Sequence, residues 1–251
     1  MKLIAGAATV AKKGNSPEEN EDAHAPRGVE GLQQIPFNCA VADGATETSY
    51  SALWAKLLVE CFVKIDHPDQ FDDHIPALQE SWKTQTGSKN LPWYAEQKLE
   101  KGAFSTLLGI RITDGEFPNL QWHAVAVGDS MLFHVRDYEV VATFPSFTSG
   151  DFKARPMLLS TNPRETSESR KELYKLSSGI LEAGDRIYLA TDKIAEWIVR
   201  NLEYDAKPFV QLDQVIRTED SFTAFIENLT QYSALKNDDY TIVWLEAQGA
   251  I

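Results

Sequence analysis

Phe37-Asn38-Cys39-Ala40-Val41-Ala42-Asp43-Gly44 is the stretch whose reading decides the architecture of this 251-residue chain. It is a short apolar run that stops on an acid followed by glycine. Its length is that of a buried strand. Gly44 permits a turn and lets a backbone carbonyl come close to another group. Asp43 therefore stands at a strand end, where side chains face clefts rather than cores. Three further places repeat the design: Asp192 ends an apolar run, and Asp129 and Asp238 each precede one. In antiparallel pairs the end of one strand lies beside the start of the next. All four acids are thus expected at one edge of the sheets, with Glu21 and Asp22 joining them from the first loop.

Outward from this strand, residues 3–10 read as a strand. Residues 11–20, with Gly14, Asn15, Ser16 and Pro17, read as a loop. The clearest helix is predicted at 46–66, where Tyr50, Leu53, Trp54, Leu57, Leu58, Cys61, Phe62 and Ile65 recur three and four apart. Thr46 or Ser49 is its expected cap. Two more helices are predicted at 75–84 and 92–101. From Ser105 the period becomes that of strands, and 105–113, 119–127, 130–136 and 138–144 read as one antiparallel meander. Residues 145–180 read as irregular, with a helix at 166–176 whose charged stretch is either a flap over the site or an exposed helix. A strand at 186–190, helices at 193–202 and near 219–231, and a strand at 240–246 complete the chain. Strands paired with near neighbours plus separate helix pairs indicate an α+β fold. On the order of eight to ten strands favours two packed antiparallel sheets over one. With no internal repeat or linker, residues 1–251 read as a single domain.

Six Trp, twelve Phe and 43% hydrophobic residues exclude a disordered chain. The formal net charge of −13 disfavours a nucleic-acid backbone as partner. Cys39 and Cys61 both lie in apolar runs and read as buried thiols, not a disulfide framework. No apolar run reaches the ~20 residues of a membrane span. The apolar residues 1–10 are short and run into Lys12-Lys13, so they read as a first strand rather than a signal peptide. A cytoplasmic monomer with no nucleic-acid or membrane partner is the expectation.

A cluster of Asp43, Asp129, Asp192 and Asp238 needs cations. Two carboxylates ~4 Å apart repel by about 4 kcal/mol at an effective dielectric near 20. Only Asp192 has an adjacent Lys. Oxygen-only ligands suit Mg²⁺ or Mn²⁺, not Zn²⁺, and the Gly44 carbonyl can approach a metal without a side chain in the way. Two such ions ~3.5–4 Å apart can lower the pKa of a bridging water from about 15.7 towards ~7, and that water can attack a phosphorus centre in line. For any single acid ordinary turn chemistry is the simpler reading. For four acids at strand edges together, a shared site is.

Asn20-Glu21-Asp22-Ala23-His24, Val41-Ala42-Asp43-Gly44, Phe104-Ser105-Thr106, Val127-Gly128-Asp129-Ser130, Leu189-Ala190-Thr191-Asp192 and Asn237-Asp238-Asp239-Tyr240-Thr241 occur in this order. Together they resemble the metal-dependent protein phosphatases (type 2C, or PPM-type, serine/threonine phosphatases), in a divergent bacterial-like form. The resemblance covers about residues 4–246. It implies a four-layer αββα sandwich, two antiparallel sheets flanked by helix pairs. It also implies hydrolysis of phosphoserine and phosphothreonine with two Mn²⁺ or Mg²⁺ ions and, in many members, a weaker third. Asp43 would bridge the two metals, and the Gly44 carbonyl and Glu21 would complete one shell. Asp22 would orient a metal-bound water, Asp192 and Asp238 would hold the other metal, and Asp129 would hold the third. A phosphorylated protein is then the implied substrate, with a cognate kinase as a further candidate partner.

Four positions depart from the family pattern. Pro17 stands where an Arg binds substrate phosphate, and Lys12 or Lys13 is the candidate substitute, without Arg's fork. Lys193 replaces a Gly after the fifth-motif acid and is expected to be a solvated lysine at a helix start. Asp239 replaces an Asn, and Ala45 a His common in eukaryotic members. His24 reads as structural or exposed, and Ser105-Thr106 as strand packing. Two functional classes follow: a metal-dependent phosphoprotein phosphatase, or a weak or inactive phosphatase-like regulatory module that binds a phosphoprotein or partner. A small-molecule phosphohydrolase on the same scaffold is a third.

Overall fold

The computed structural model describes residues 1–46, 50–87, 101–232 and 234–249. Among these the strands are β1 (Lys2–Val10), β2 (Asp22–Ala25), β3 (Glu30–Gln33), β4 (Phe37–Asp43), β5 (Phe104–Ser105), β6 (Leu107–Asp114), β7 (Leu120–Val127), β8 (Met131–Arg136), β9 (Glu139–Phe144), β10 (Leu159–Ser160), β11 (Lys175–Leu181), β12 (Arg186–Ala190) and β13 (Tyr240–Gln248). The α-helices are α1 (Ser51–Phe62), α2 (Ile75–Gly87), α3 (Ser167–Lys171), α4 (Asp192–Glu203), α5 (Pro208–Val215) and α6 (Glu219–Gln231). One sheet has the order β3-β1-β13-β12-β8-β9 and the other β11-β7-β6-β4-β2, while β5 and β10 form a small ribbon. All pairings are antiparallel.

Three apolar layers hold this together, as expected for an αββα sandwich. Between the sheets lie Leu3, Cys39, Val41, Leu108, Ile110, Trp122, Leu132, Leu189, Val243 and Leu245. Outside the six-stranded sheet, α4, α5 and α6 pack through Ile194, Ile198, Phe209, Leu212, Phe222 and Ile226. Outside the five-stranded sheet, α1 and α2 pack through Trp54, Leu58, Phe62, Ile75 and Trp82. Strand β4 shows why its sequence is apolar throughout. Alternate side chains point to opposite faces, so Cys39 and Val41 enter the inter-sheet core while Ala40 and Ala42 meet α1.

The meander expected from 105 to 144 is instead two hairpins in different sheets. β6 pairs with β7 and β8 with β9, but β7 and β8 do not pair. The chain crosses between sheets at Gly128, whose φ of +97° is open to glycine and strained for other residues. Strand β5 also ends at Ser105, with Thr106 separating it from β6. The predicted helix at 166–176 shortens to α3, because 175–181 form edge strand β11 paired with β7. Strands β2 and β3 and helix α5 add to the sequence reading. Helix α1 starts at Ser51 behind Tyr50, which has a left-handed φ of 60°, and Thr46 lies in a turn. The candidate cap Ser49 and the predicted helix over 92–100 lie outside the described residues. Among the described residues no helix is long and apolar enough to cross a membrane.

Candidate active site

The site forms where strand ends from both sheets meet. Asp43 is the last residue of β4, and its backbone is clamped. Its N–H donates to Thr106 Oγ1 at 2.8 Å, and its carbonyl accepts from the Thr106 N–H at 2.9 Å and Ser105 Oγ at 2.8 Å. Ser105-Thr106 therefore does more than fill the strand: it fixes the direction in which Asp43 leaves the sheet. Gly44 follows, and its N–H donates to the Glu21 carbonyl at 3.1 Å. A Cβ at Gly44 would lie 2.8 Å from the Glu21 oxygen and from the Ser51 carbonyl carbon. Only glycine lets the first loop, β4 and the start of α1 converge here.

Asp22, first residue of β2, lies directly opposite Asp43 in the antiparallel register. Asp129 sits at the crossing between sheets, and Asp192 opens α4, where its charge also meets the positive helix end. Asp43, Asp129, Asp192 and Asp238 line one cavity of about 850 Å³, together with Lys193, Arg155, Phe104 and Met157. Four acids that are far apart in sequence thus share one mouth. Glu21 and Asp22 are not among the described residues lining it. Asp22 sits behind Asp43, where it accepts from Thr191 Oγ1 at 2.8 Å. Glu21 accepts from Lys12 Nζ at 2.9 Å and Ser51 Oγ at 2.7 Å.

Charge is under-compensated here. Burial, then the neighbouring Asp192, Asp22 and Asp129, push the Asp43 carboxyl well above the usual carboxylate range. Burial also pushes Asp22 well up, with Asp192 and Asp239 adding to the effect of burial against the Thr191 hydrogen bond. Asp129 is pushed up to about 6 by burial and Asp192. Its Oδ1 is buried with no hydrogen-bond partner among the described residues. Asp192 is raised by burial and Asp238, against the pull of Lys193.

An oxygen-only donor set with an orphaned buried oxygen fits a hard divalent cation on the Asp43–Asp129 side. The Asp192–Asp238 side fits one less well. There the Lys193 ammonium contacts the Asp192 carboxylate and lies 3.3 Å from Asp238 Oδ2. Among the described residues, no three His, Cys, Asp or Glu side chains are grouped as a ready metal nest. The expectation of a solvated Lys193 is corrected: its side chain is 17% exposed. The acids on both sides draw it in against the cost of burial, so its pKa is raised.

Neither Lys12 nor Lys13 is among the described residues lining the cavity. The Lys12 ammonium is held by Glu21, and the Lys13 N–H donates to Asn237 Oδ1 at 2.7 Å. Arg155, which the sequence reading did not single out, does line it. Asp239 is a second omission. Its two oxygens accept from the Lys12 and Glu21 N–H groups at 2.8 and 3.0 Å, tying the first loop to the start of β13. His24 is half-buried on β2, and burial beside Arg27 lowers its pKa.

Solved structures share this fold over nearly the whole chain. A serine/threonine phosphatase of Mycobacterium tuberculosis, PstP/Ppp, superposes with a TM-score of 0.61 at 16% identity, covering 99% of this chain and 100% of that one. The fold is that of the PPM-type serine/threonine phosphatases. Stp1 of Staphylococcus aureus shares this PPM fold at a TM-score of 0.62 and 14% identity, over 99% and 96% of the two chains. The catalytic domain of PstP in complex with two manganese ions matches at 0.59 and 16%, over 98% and 100%. At these identities the likeness is one of fold. No protein-family model matches the chain. No curated protein matches it either.

Proposed function

We propose that this protein is a metal-dependent phosphoprotein phosphatase acting on phosphoserine and phosphothreonine. The observation that carries the reading is the convergence of Asp43, Asp129, Asp192 and Asp238 on one cavity of a PPM fold. Asp43 and Asp129, with the Gly44 carbonyl, would hold Mn²⁺ or Mg²⁺ on one side. Glu21 would join that shell on release from Lys12, and Asp192 and Asp238 would serve the other side. Divalent metal, when bound, supplies Lewis acidity and a more acidic water.

The chain's own residues do the rest. Asp22, which accepts from Thr191 Oγ1, would hold a proton at its carboxyl, a role that its burial-raised pKa supports. Arg155, which lines the cavity, would offer phosphoryl oxygens the planar fork that Lys12 and Lys13 lack. Phe104, Phe152, Met157 and Leu158 line the same cavity and offer an apolar seat for side chains flanking a phosphorylated residue. The proposed partners are a phosphorylated protein and the kinase that modifies it, in the cytoplasm, with the phosphatase acting as a monomer.

Hydrolysis of p-nitrophenyl phosphate in Mn²⁺, with and without chelator, tests the reading in wild type and Asp43→Asn. Chelator-sensitive turnover that falls by at least about 100-fold in Asp43→Asn is expected, since such losses accompany removal of transition-state charge stabilisation. Faster turnover of phosphopeptides than of free phosphoserine would separate protein from small-molecule substrates. The second reading, a weak or inactive regulatory module, is favoured by the Lys193 ammonium among the carboxylates. Metal binding without turnover of any phosphopeptide would select it.

A further inference from the structure

The Asp192 and Asp238 carboxylates come from the start of α4 and from the segment before β13, and the antiparallel pairing of β12 with β13 brings both to one sheet edge. Between the two carboxylates lies a third side chain. Lys193 Nζ contacts Asp192 and lies 3.3 Å from Asp238 Oδ2, in a side chain only 17% exposed. Lysine carries three donors on a compact charge, so it satisfies two carboxylates at once. That is the service a divalent cation would give them.

We propose that Lys193 is a built-in cation that occupies the Asp192–Asp238 position and competes with divalent metal for it, so that the chain binds one metal ion fewer than its carboxylates can accommodate. This rests on the phosphatase reading of the same cavity, and it names the residue that sets metal number there. Lysine at this position tightens the metal-free site. A divalent ion must displace the ammonium before it gains both carboxylates.

Isothermal titration of the chelator-treated full chain with Mn²⁺ reads the stoichiometry directly. Lys193→Met keeps most of the stem without the charge, Lys193→Gly removes both, and Lys193→Arg keeps the charge. The Met and Gly variants are expected to bind one more Mn²⁺ per chain than wild type and Lys193→Arg. In chelator, Lys193→Met should melt below wild type yet gain more Tm from saturating Mn²⁺. A purely structural lysine would lower Tm in the Met variant without adding a metal.

Equal stoichiometry of at least one Mn²⁺ in all four proteins overturns the Lys193 proposal and leaves the phosphatase reading standing. Absence of Mn²⁺ binding from all four, each folded by circular dichroism, overturns both.

Discussion

Gly44 shows how a single missing side chain can be structural and functional at once. A Cβ there would meet backbone atoms of Glu21 and Ser51 at 2.8 Å, and backbone cannot swing aside as a flexible side chain can. Gly44→Ala is expected to cost about 1–3 kcal/mol of stability, the range for overpacking a tight site. Chemical denaturation reads this, and a midpoint equal to wild type would refute the close approach. Asp129 makes the opposite case. Its Oδ1 is buried without a hydrogen-bond partner among the described residues, and its carboxyl is raised to about 6. At neutral pH Asp129→Asn removes a charge that burial and Asp192 disfavour more than Lys193 and a backbone N–H favour it, so the metal-free protein should gain on the order of 1–3 kcal/mol while its Mn²⁺ affinity falls. Loss of stability in chelator would contradict this. The acids at the cavity were legible in the sequence because each borders an apolar run, Asp43 and Asp192 ending one and Asp129 and Asp238 preceding one. Lys193 was misread because adjacency to Asp192 says nothing of which way a long side chain turns. Asp239 was passed over because its partners lie 227 and 218 residues away.

Among elements, the segment from α3 to β11 departs most from its sequence. Strand β11 escapes a periodicity reading because two of its three large apolar residues face outward: Leu176 and Ile180 are both 58% exposed on a sheet edge, while only Leu181 enters the core. Only its pairing with β7 makes it a strand. Helix α3 has five residues and little apolar surface, so something other than hydrophobic packing must hold it. That anchor is Asp72, which accepts from Arg170 Nε at 2.6 Å, from Tyr174 at 3.0 Å and from Ser167. Burial alone would raise the Asp72 carboxyl, but Arg170 and Ser167 hold it below its ordinary value. Ser167, Glu168, Ser169 and Lys171 are exposed while Arg170 is 3% exposed, so the segment is an exposed helix pinned by one buried side chain rather than a free flap. Asp72→Asn leaves a buried guanidinium short of its counter-charge and is expected to cost about 3–5 kcal/mol. Hydrogen exchange should show the loss concentrated in residues 165–175. Unchanged protection there would place the anchor elsewhere. By contrast β4 and α1 were legible, because a run buried on both faces and a three-four apolar spacing each admit one regular structure.

Across the whole molecule, two sets of buried or paired carboxylates have opposite pH behaviour. Asp22, Asp43, Asp192 and Asp239 are raised by burial and mutual repulsion, and Asp129 lies at about 6. The folded protein holds protons on this group that the unfolded chain gives up near pH 4. Their protonation therefore stabilises the fold fully below about pH 4, and the benefit is lost as pH rises through about 6 and beyond. Asp72, Asp185 and Glu246 are depressed, Asp185 by Arg136, the Glu182 N–H and His134 acting against burial. Their contribution is present above about pH 4 and is lost as pH falls through their folded values. The net charge of −13 adds self-repulsion at neutral pH. The metal-free protein should accordingly be most stable near pH 5, with Tm falling towards pH 8. Mn²⁺ binds deprotonated carboxylates and favours the folded state by mass action. Its stabilisation should grow over the same interval and flatten that fall. Melting curves from pH 4 to 8, in chelator and in excess Mn²⁺, measure both limbs. A chelator curve that climbs steadily from pH 5 to 8 would mean that the clustered acids are already neutralised from within, by Lys193 and Lys12 together. The cavity would then have little electrostatic need for metal.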